Sequence, residues 1–406
     1  MTTATSASTP SAAPDRPATL PNKPDLAING GTAVARTAVP FMHTALTDAD
    51  VQACLAVLKS GMLRAAGRCA ELEDRFAKIS GAKYAMTCAN GTCALQLAYE
   101  PLIQPGDDVL VPAWTYIATV SMIVARGANP IFVDAKRDTM QIDMADAARK
   151  FTKRTTAIAV THLYGCPVDI DAVEKFASAK GLKVVYDAAQ AHLATYKGKG
   201  IGSFGDAVTY SFYATKNLGT GEGGLISCNN DDLARQIKLL RSHGETEKYT
   251  HEQVGYNYRM NDITGALGCS RLDRLEAETQ KRREAAAKFD AIISGIPGLE
   301  APATTPGATP VYHLYVVKLD TSKFLCTRDQ FCDALKAEGV PTAVHYPRSL
   351  TRQPAFAKFS LKQGHPPVAD ALSKQVFALP IHHMLSEDHI RQIGESLNKV
   401  ASAYRA

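Results

Sequence analysis

From about residue 45 the apolar positions follow two periods that take turns along the chain. Val51, Cys54, Leu55 and Leu58 share one helical face behind Thr47, with Asp48 and Asp50 in the first turn. Ser60-Gly61 ends this capped amphipathic helix, and a second helix follows near Arg68–Ile79. Short, nearly unbroken apolar runs then predict strands over Lys83–Thr87, Asp108–Pro112, Pro130–Val133, Thr156–Thr161 and Lys183–Asp187. Helical patterns over Thr92–Leu102, Ile117–Arg126 and Val173–Lys180 are interspersed with them. Continuous apolar strands need burial on both faces. Alternation of strand and helix predicts an α/β fold, a mostly parallel sheet covered by helices on both sides.

After about residue 270 the pattern changes. A charged helix is predicted over Leu272–Ile293, a Pro- and Thr-rich loop over Pro302–Pro310, and strands over Tyr312–Leu319 and Thr342–Tyr346 flanking a helix at Arg328–Glu338. This reads as a smaller α+β domain. The expected division is a disordered tail over residues 1–24, a large α/β domain over 25–275 and a small C-terminal domain over 276–406.

Composition narrows the function classes. With 46% hydrophobic and 21% charged residues among 406, the chain has a globular balance, and no run approaches the ~18 apolar residues of a membrane span. A net charge of +5, scattered along the chain, is too dilute to argue for nucleic acid. Nine cysteines with no C-x-x-C pair argue against a disulfide framework or a zinc ribbon and fit a reducing, cytoplasmic compartment. The Ala/Thr/Ser/Pro-rich start lacks the apolar core of a secretory signal.

Three segments could carry chemistry. Asp187 closes the apolar run Val184-Val185-Tyr186, at a strand's carboxyl end, where open α/β sheets place ligands. It could equally cap the turn that follows. Lys216 lies between the predicted strand Ala207–Phe212 and the glycine-rich Gly219–Gly224. Alone it reads first as a surface lysine, but desolvation there would free its amine for Schiff-base chemistry. Asn90-Gly91-Thr92 turns a strand into a helix, so backbone N–H groups and the helix dipole can hold a phosphate. Phosphate cup, aromatic loop, strand-end acid and strand-end lysine, in that order, are the set a pyridoxal 5'-phosphate enzyme needs.

The order and wording of eight segments resemble the DegT/DnrJ/EryC1/StrS aminotransferases. They are Asn90–Leu95, Val111–Thr119, His162–Gly165, Tyr186–His192, Ser211–Asn217, Glu222–Gly224, Gly255–Met260 and His345–Pro347. The resemblance implies the aspartate-aminotransferase fold (fold type I) and a homodimer with shared sites. It implies Lys216 as the lysine that carries the cofactor, where some sugar-dehydrating relatives have histidine. Asp187 would face the pyridine nitrogen and Gln190 the ring hydroxyl, with Tyr116 stacked on the ring. Gly91, Thr92 and Ser211 would hold the phosphate, joined by Asn257 across the dimer. Arg64, Arg259, His313 and His345 are candidate substrate contacts; His192 reads as packing or as a neighbour of the cofactor. His382-His383 resembles a family turn, and no metal is implied. The expected activity is transfer of an amino group from L-glutamate or L-glutamine to a keto-sugar, free or nucleotide-linked, or a keto-cyclitol, in two half-reactions. The alternatives are a dehydratase or lyase on the same fold and a non-catalytic regulator that binds the cofactor or a sugar.

Overall fold

The computed structural model describes residues 23–44 and 46–406. The tail expected over residues 1–24 falls, but for its last two residues, outside the described ones. Seven strands build the central sheet: β1 (Tyr84–Cys88), β2 (Asp108–Pro112), β3 (Asn129–Val133), β4 (Thr155–Thr161), β5 (Lys183–Asp187), β6 (Ala207–Ser211) and β7 (Gly224–Cys228). Their order is β1-β7-β6-β5-β4-β2-β3. From β6 to β3 neighbours run parallel, whereas β7 is antiparallel to both β6 and β1.

The period of two explains the unbroken apolar runs. Val109, Val111, Ala157, Ala159 and Val185 face one core, and Leu110, Ile158, Val160, Val184 and Tyr186 face the other. Each strand therefore needs apolar residues on both sides. Helices Gly91–Tyr99 and Ala118–Ala125 cover the first core, and helices Gly67–Ser80 and Ile170–Lys180 the second. Edge strand β3 contains Pro130, which an edge tolerates because one side needs no donor. The Gln363 side chain takes the place of a further strand there. Phe132 N donates to its Oε1 at 2.8 Å, and its Nε2 donates to Pro130 O at 2.8 Å.

Near the N-terminus, Thr47 and Asp50 form a reciprocal cap on helix Asp48–Ser60. Asp50 is fully buried against helix Asp262–Leu272 and its exit, held by Arg274 through Nη1 at 2.9 Å and Nη2 at 2.6 Å and by Ser270 Oγ at 2.8 Å.

Helix Leu275–Ser294 leads to a smaller antiparallel sheet of β8 (Leu299–Glu300), β9 (Tyr315–Leu319) and β10 (Val376–Leu379). A third core gathers beneath it around Phe289, Phe331, Phe377 and Tyr404. Leu26, Ala35 and Val39 also pack there, and Ala35 N and Val39 N donate to Glu338 O and Gly339 O. The segment 26–39, which the sequence division groups with the large domain, thus lies on the small sheet. The strand expected at Thr342–Tyr346 is absent: only Ala343 makes a bridge, to Ala378. Pro341 and Pro347 bracket this stretch and remove ladder donors. Among the described residues, no helix is long and apolar enough to cross a membrane.

Candidate active site

The carboxyl ends of β5 and β6 converge on a cleft between the two sheets. Asp187 ends β5, buried at 5% exposure. Its Oδ2 accepts from Thr119 Oγ1 at 2.6 Å and its Oδ1 from Ala189 N at 3.0 Å. The turn-capping alternative is thus also true of it. Thr115 Oγ1 lies 2.8 Å from Thr161 Oγ1 and 3.3 Å from Thr119 Oγ1, continuing a buried chain of hydroxyls behind the acid. No cation bonds to Asp187 among the described residues. Burial therefore pushes its carboxyl above the ordinary range, against the pull of Thr119, Ala189 N and the Lys216 charge.

Lys216 follows β6 in a loop that folds tightly on itself. Phe212 N donates to Gly223 O at 2.8 Å, Ala214 N to Gly221 O at 2.9 Å and Lys216 N to Tyr213 O at 2.8 Å. Gly219 passes so close that a Cβ there would lie 2.5 Å from Ala214 O. The backbone is fixed, and the Lys216 amine makes no hydrogen bond or ion pair among the described residues. Desolvation pulls its pKa down to about 8, with Asp187 opposing. A substantial neutral fraction near pH 8 is what a nucleophilic or proton-shuttling amine requires.

Asn90 caps helix Gly91–Tyr99, its Oδ1 accepting from Cys93 N at 2.9 Å. The helix start is pressed onto β6: a Cβ on Gly91 would stand 2.7 Å from Ser211 Cβ. Gly91 and Ser211 are therefore in contact, and the first turn carries N–H groups with no partner inside the helix. Gln190 is held at both ends, accepting from Tyr164 N at 2.7 Å and donating through Nε2 to Tyr346 Oη at 3.1 Å. Tyr116 stands at the rim, 58% exposed, its ring 6.3 Å from that of Tyr346. Trp114 forms wall, as its Nε1 donates to Tyr164 Oη at 3.0 Å and Tyr164 Oη donates to His345 O.

His313 and His345 line one cavity with Lys216, Asn217 and Thr215. Burial and then the Lys216 charge hold both imidazoles below their ordinary pKa. Arg64, Asn257 and Arg259 are exposed and bond no side chain among the described residues. None of the three lines the cavity beside Lys216. His192 is fully buried among Phe76, Tyr210 and Phe212, and neither ring nitrogen has a partner. His382 Nε2 bonds Pro40 O at 3.0 Å and its Nδ1 accepts from Met384 N, so both ring nitrogens are taken. Sequence reasoning missed Thr119 and Tyr346 as parts of the site. No local spacing singles out Thr119, whose partner Asp187 lies far along the chain.

Two features suit pyridoxal phosphate. One is the capped helix start at Gly91, packed against Ser211 with first-turn N–H groups unspent; the other is a buried acid and a desolvated amine, each without an opposite partner.

Comparison with known proteins agrees. The model of the DegT/DnrJ/EryC1/StrS aminotransferase family matches residues 44–398. The chain is 38% identical over 352 residues to the UDP-2-acetamido-2-deoxy-3-oxo-D-glucuronate aminotransferase of Pseudomonas aeruginosa, covering 86% of this chain and 94% of that protein. DesV of S. venezuelae superposes with a TM-score of 0.86 at 34% identity, covering 90% of this chain and 99% of DesV. The PLP form of the putative sugar aminotransferase Spr1654 from Streptococcus pneumoniae superposes at 0.84 with 27% identity, covering 90% and 99%. The architecture is accordingly that of fold type I, and the protein is an aminotransferase, a member of the DegT/DnrJ/EryC1/StrS family.

Proposed function

We propose that this aminotransferase uses pyridoxal phosphate to move an amino group from L-glutamate or L-glutamine to a keto-sugar, by two half-reactions at one site. The observation that carries the reading is the pairing of a desolvated, unpartnered Lys216 amine with the buried, cation-free Asp187 carboxylate at adjacent strand ends. The relative that aminates a nucleotide-linked keto-glucuronate supports a keto-sugar acceptor.

When bound, the cofactor supplies an electron sink conjugated with the substrate nitrogen. Gly91 and Thr92 N–H groups and the Ser211 hydroxyl would hold its phosphate, and in a homodimer Asn257 would reach it across the interface. Tyr116 would cover the ring face, and Gln190, fixed by Tyr164 and Tyr346, would meet the ring hydroxyl. Asp187 would keep a proton on the ring nitrogen, and Thr119 and Ala189 N hold its carboxylate in place. Lys216 Nζ would anchor the cofactor and, once freed by the donor amine, would take the proton from the donor's α-carbon. In the second half-reaction Lys216 serves the acceptor in the reverse sense. The cofactor-binding unit would be residues 25–275 less the segment 26–39, which packs with the smaller unit 276–406 that supplies His313 and His345. A cytoplasmic location fits nine cysteines, none of them paired.

The test is the absorbance of the protein with pyridoxal phosphate before and after L-glutamate or L-glutamine, without acceptor. Loss of the yellow band with release of a 2-oxo acid is expected. A yellow band that no amino acid bleaches would move a lyase ahead of the transaminase.

A further inference from the structure

The cavity beside Lys216 continues towards helices Asp262–Leu272 and Leu275–Ser294, and there it is lined by Arg271, Glu278 and Arg282. Arg271 is 6% exposed. Its guanidinium makes no hydrogen bond and no ion pair among the described residues, and its Nε is buried without a partner. Its neighbours are engaged elsewhere. Glu278 accepts from Arg274 Nε at 2.7 Å, and Asp50, the next acid, is gripped by Arg274. Arg282, also buried, gives Nη1 to Tyr312 O and Ile381 O at 3.3 and 2.8 Å. The remaining walls carry no further acid: His43, His313, His345 and His383 are imidazoles and Lys216 is basic.

An always-charged guanidinium kept from water without a contacting anion is costly, and here Glu278 and Asp50 favour its charge only through space. Here the chain withholds the pair and opens the group onto the cavity that also holds Lys216. The cavity encloses about 60 Å³. At ~10–15 Å³ per water that is room for a few waters, or for a carboxylate and its neighbouring carbons, but not for a sugar ring. The planar fork of an arginine suits a carboxylate.

We propose that Arg271 is the substrate-carboxylate receptor of this site, with Arg282 supporting the positive field around it. The inference rests on the aminotransferase reading and goes beyond it by assigning the anion and the residue that reads it. Carboxylate chemistry can reach the cavity from two sources, the amino-acid donor or a uronate acceptor. Arg271 would make each a bound counter-ion and set its carbon skeleton towards Lys216.

The experiment is calorimetric titration of the full chain, loaded with pyridoxal phosphate, using glutarate, UDP-glucuronate and UDP-glucose. Wild type is compared with Arg271→Met and Arg271→Lys. Arg271→Met should weaken at least one of the two acids tenfold or more while UDP-glucose is unchanged. Arg271→Lys should fall between, since it keeps the charge and loses the fork. Loss confined to glutarate assigns the donor, and loss confined to UDP-glucuronate relative to UDP-glucose assigns the acceptor. In turnover, the matching KM should rise while kcat stays within a few fold. Thermal unfolding and the yellow band report fold and cofactor binding in both variants, and Arg271→Lys keeps the test decisive if Arg271→Met does not fold. Acids bound equally by wild type and the variants, or by none of them, would overturn the proposal. That result with amino-acid bleaching intact leaves the aminotransferase reading standing. Carboxylate binding lost in Arg271→Met without bleaching in wild type would strike the reading and spare the receptor.

Discussion

Asp50 and Asp187 are both buried acids, yet they are built to opposite specifications. Asp50 is satisfied by its own chain: a two-pronged contact from Arg274, a hydroxyl from Ser270 and the backbone N–H of Thr47. Those partners overcome burial and draw its pKa down to about 2. Asp187 has one hydroxyl and one N–H, and burial wins, raising its pKa. The same contrast separates Arg274, which is fully paired, from Lys216 and Arg271, which are not. Where the fold completes an ion's environment the ion staples helices together. Where the fold stops short, at the mouth between the sheets, the missing partner is left for a ligand.

This contrast can be broken most severely at Lys216. Lys216→Ala should keep the fold and lose borohydride-fixable cofactor, with turnover down by at least the ~10²–10⁴-fold typical of a general acid–base group. A cofactor still fixed covalently in that variant would remove Lys216 from its role. On the structural side, Arg274→Met strands Asp50, and stability measured by urea unfolding should fall by about 3–5 kcal/mol with cofactor affinity unchanged. Asp187→Asn reverses the pattern: unfolding free energy should hold or rise, while kcat drops about 10²–10³-fold, as for loss of one preorganised electrostatic partner. Thr119→Val removes a single hydrogen bond to a charged group, worth about 1.5–3 kcal/mol, and should shift the pH at which the yellow band changes.

The gentlest probe is pH itself, read on the cofactor-free protein. The folded pKa of Asp50 lies below the unfolded value of 3.8, so its stabilisation is present above that value and is lost as pH falls towards 2. Asp187 has the opposite sign. Its folded pKa is raised, so its contribution is complete below 3.8 and is lost as pH climbs through the raised value. Pyridoxal phosphate should abolish the second loss and leave the first untouched. Equal protection of both limbs would show that the two acids are not functionally distinct.

Much of the scaffold was legible because burial on both faces leaves an unmistakable mark. Asp108–Pro112 and Lys183–Asp187 were readable to the residue, since each core demands its own alternate side chains. The strand Gly224–Cys228 was hidden by the glycine run that leads into it, and Thr342–Tyr346 looked extended because prolines bracket it, although only Ala343 found a partner. Asp187 and Lys216 were legible as local events at strand ends. Arg271 was not, because its importance is a lack of partners, and partners come from helices folded over from elsewhere in the chain. Thr119 meets Asp187 across 68 positions, beyond the range of any local pattern.

The Gln363 amide on β3 bears on the protein's life in a crowded solution. A sheet ending in bare N–H and C=O groups is a template for strands of other molecules. By offering its own donor and acceptor to Phe132 and Pro130, Gln363 turns that template into a finished border. A swap to leucine there would leave catalysis alone and surface instead as a shorter shelf life: slow, concentration-dependent turbidity from growth at one unpaired border.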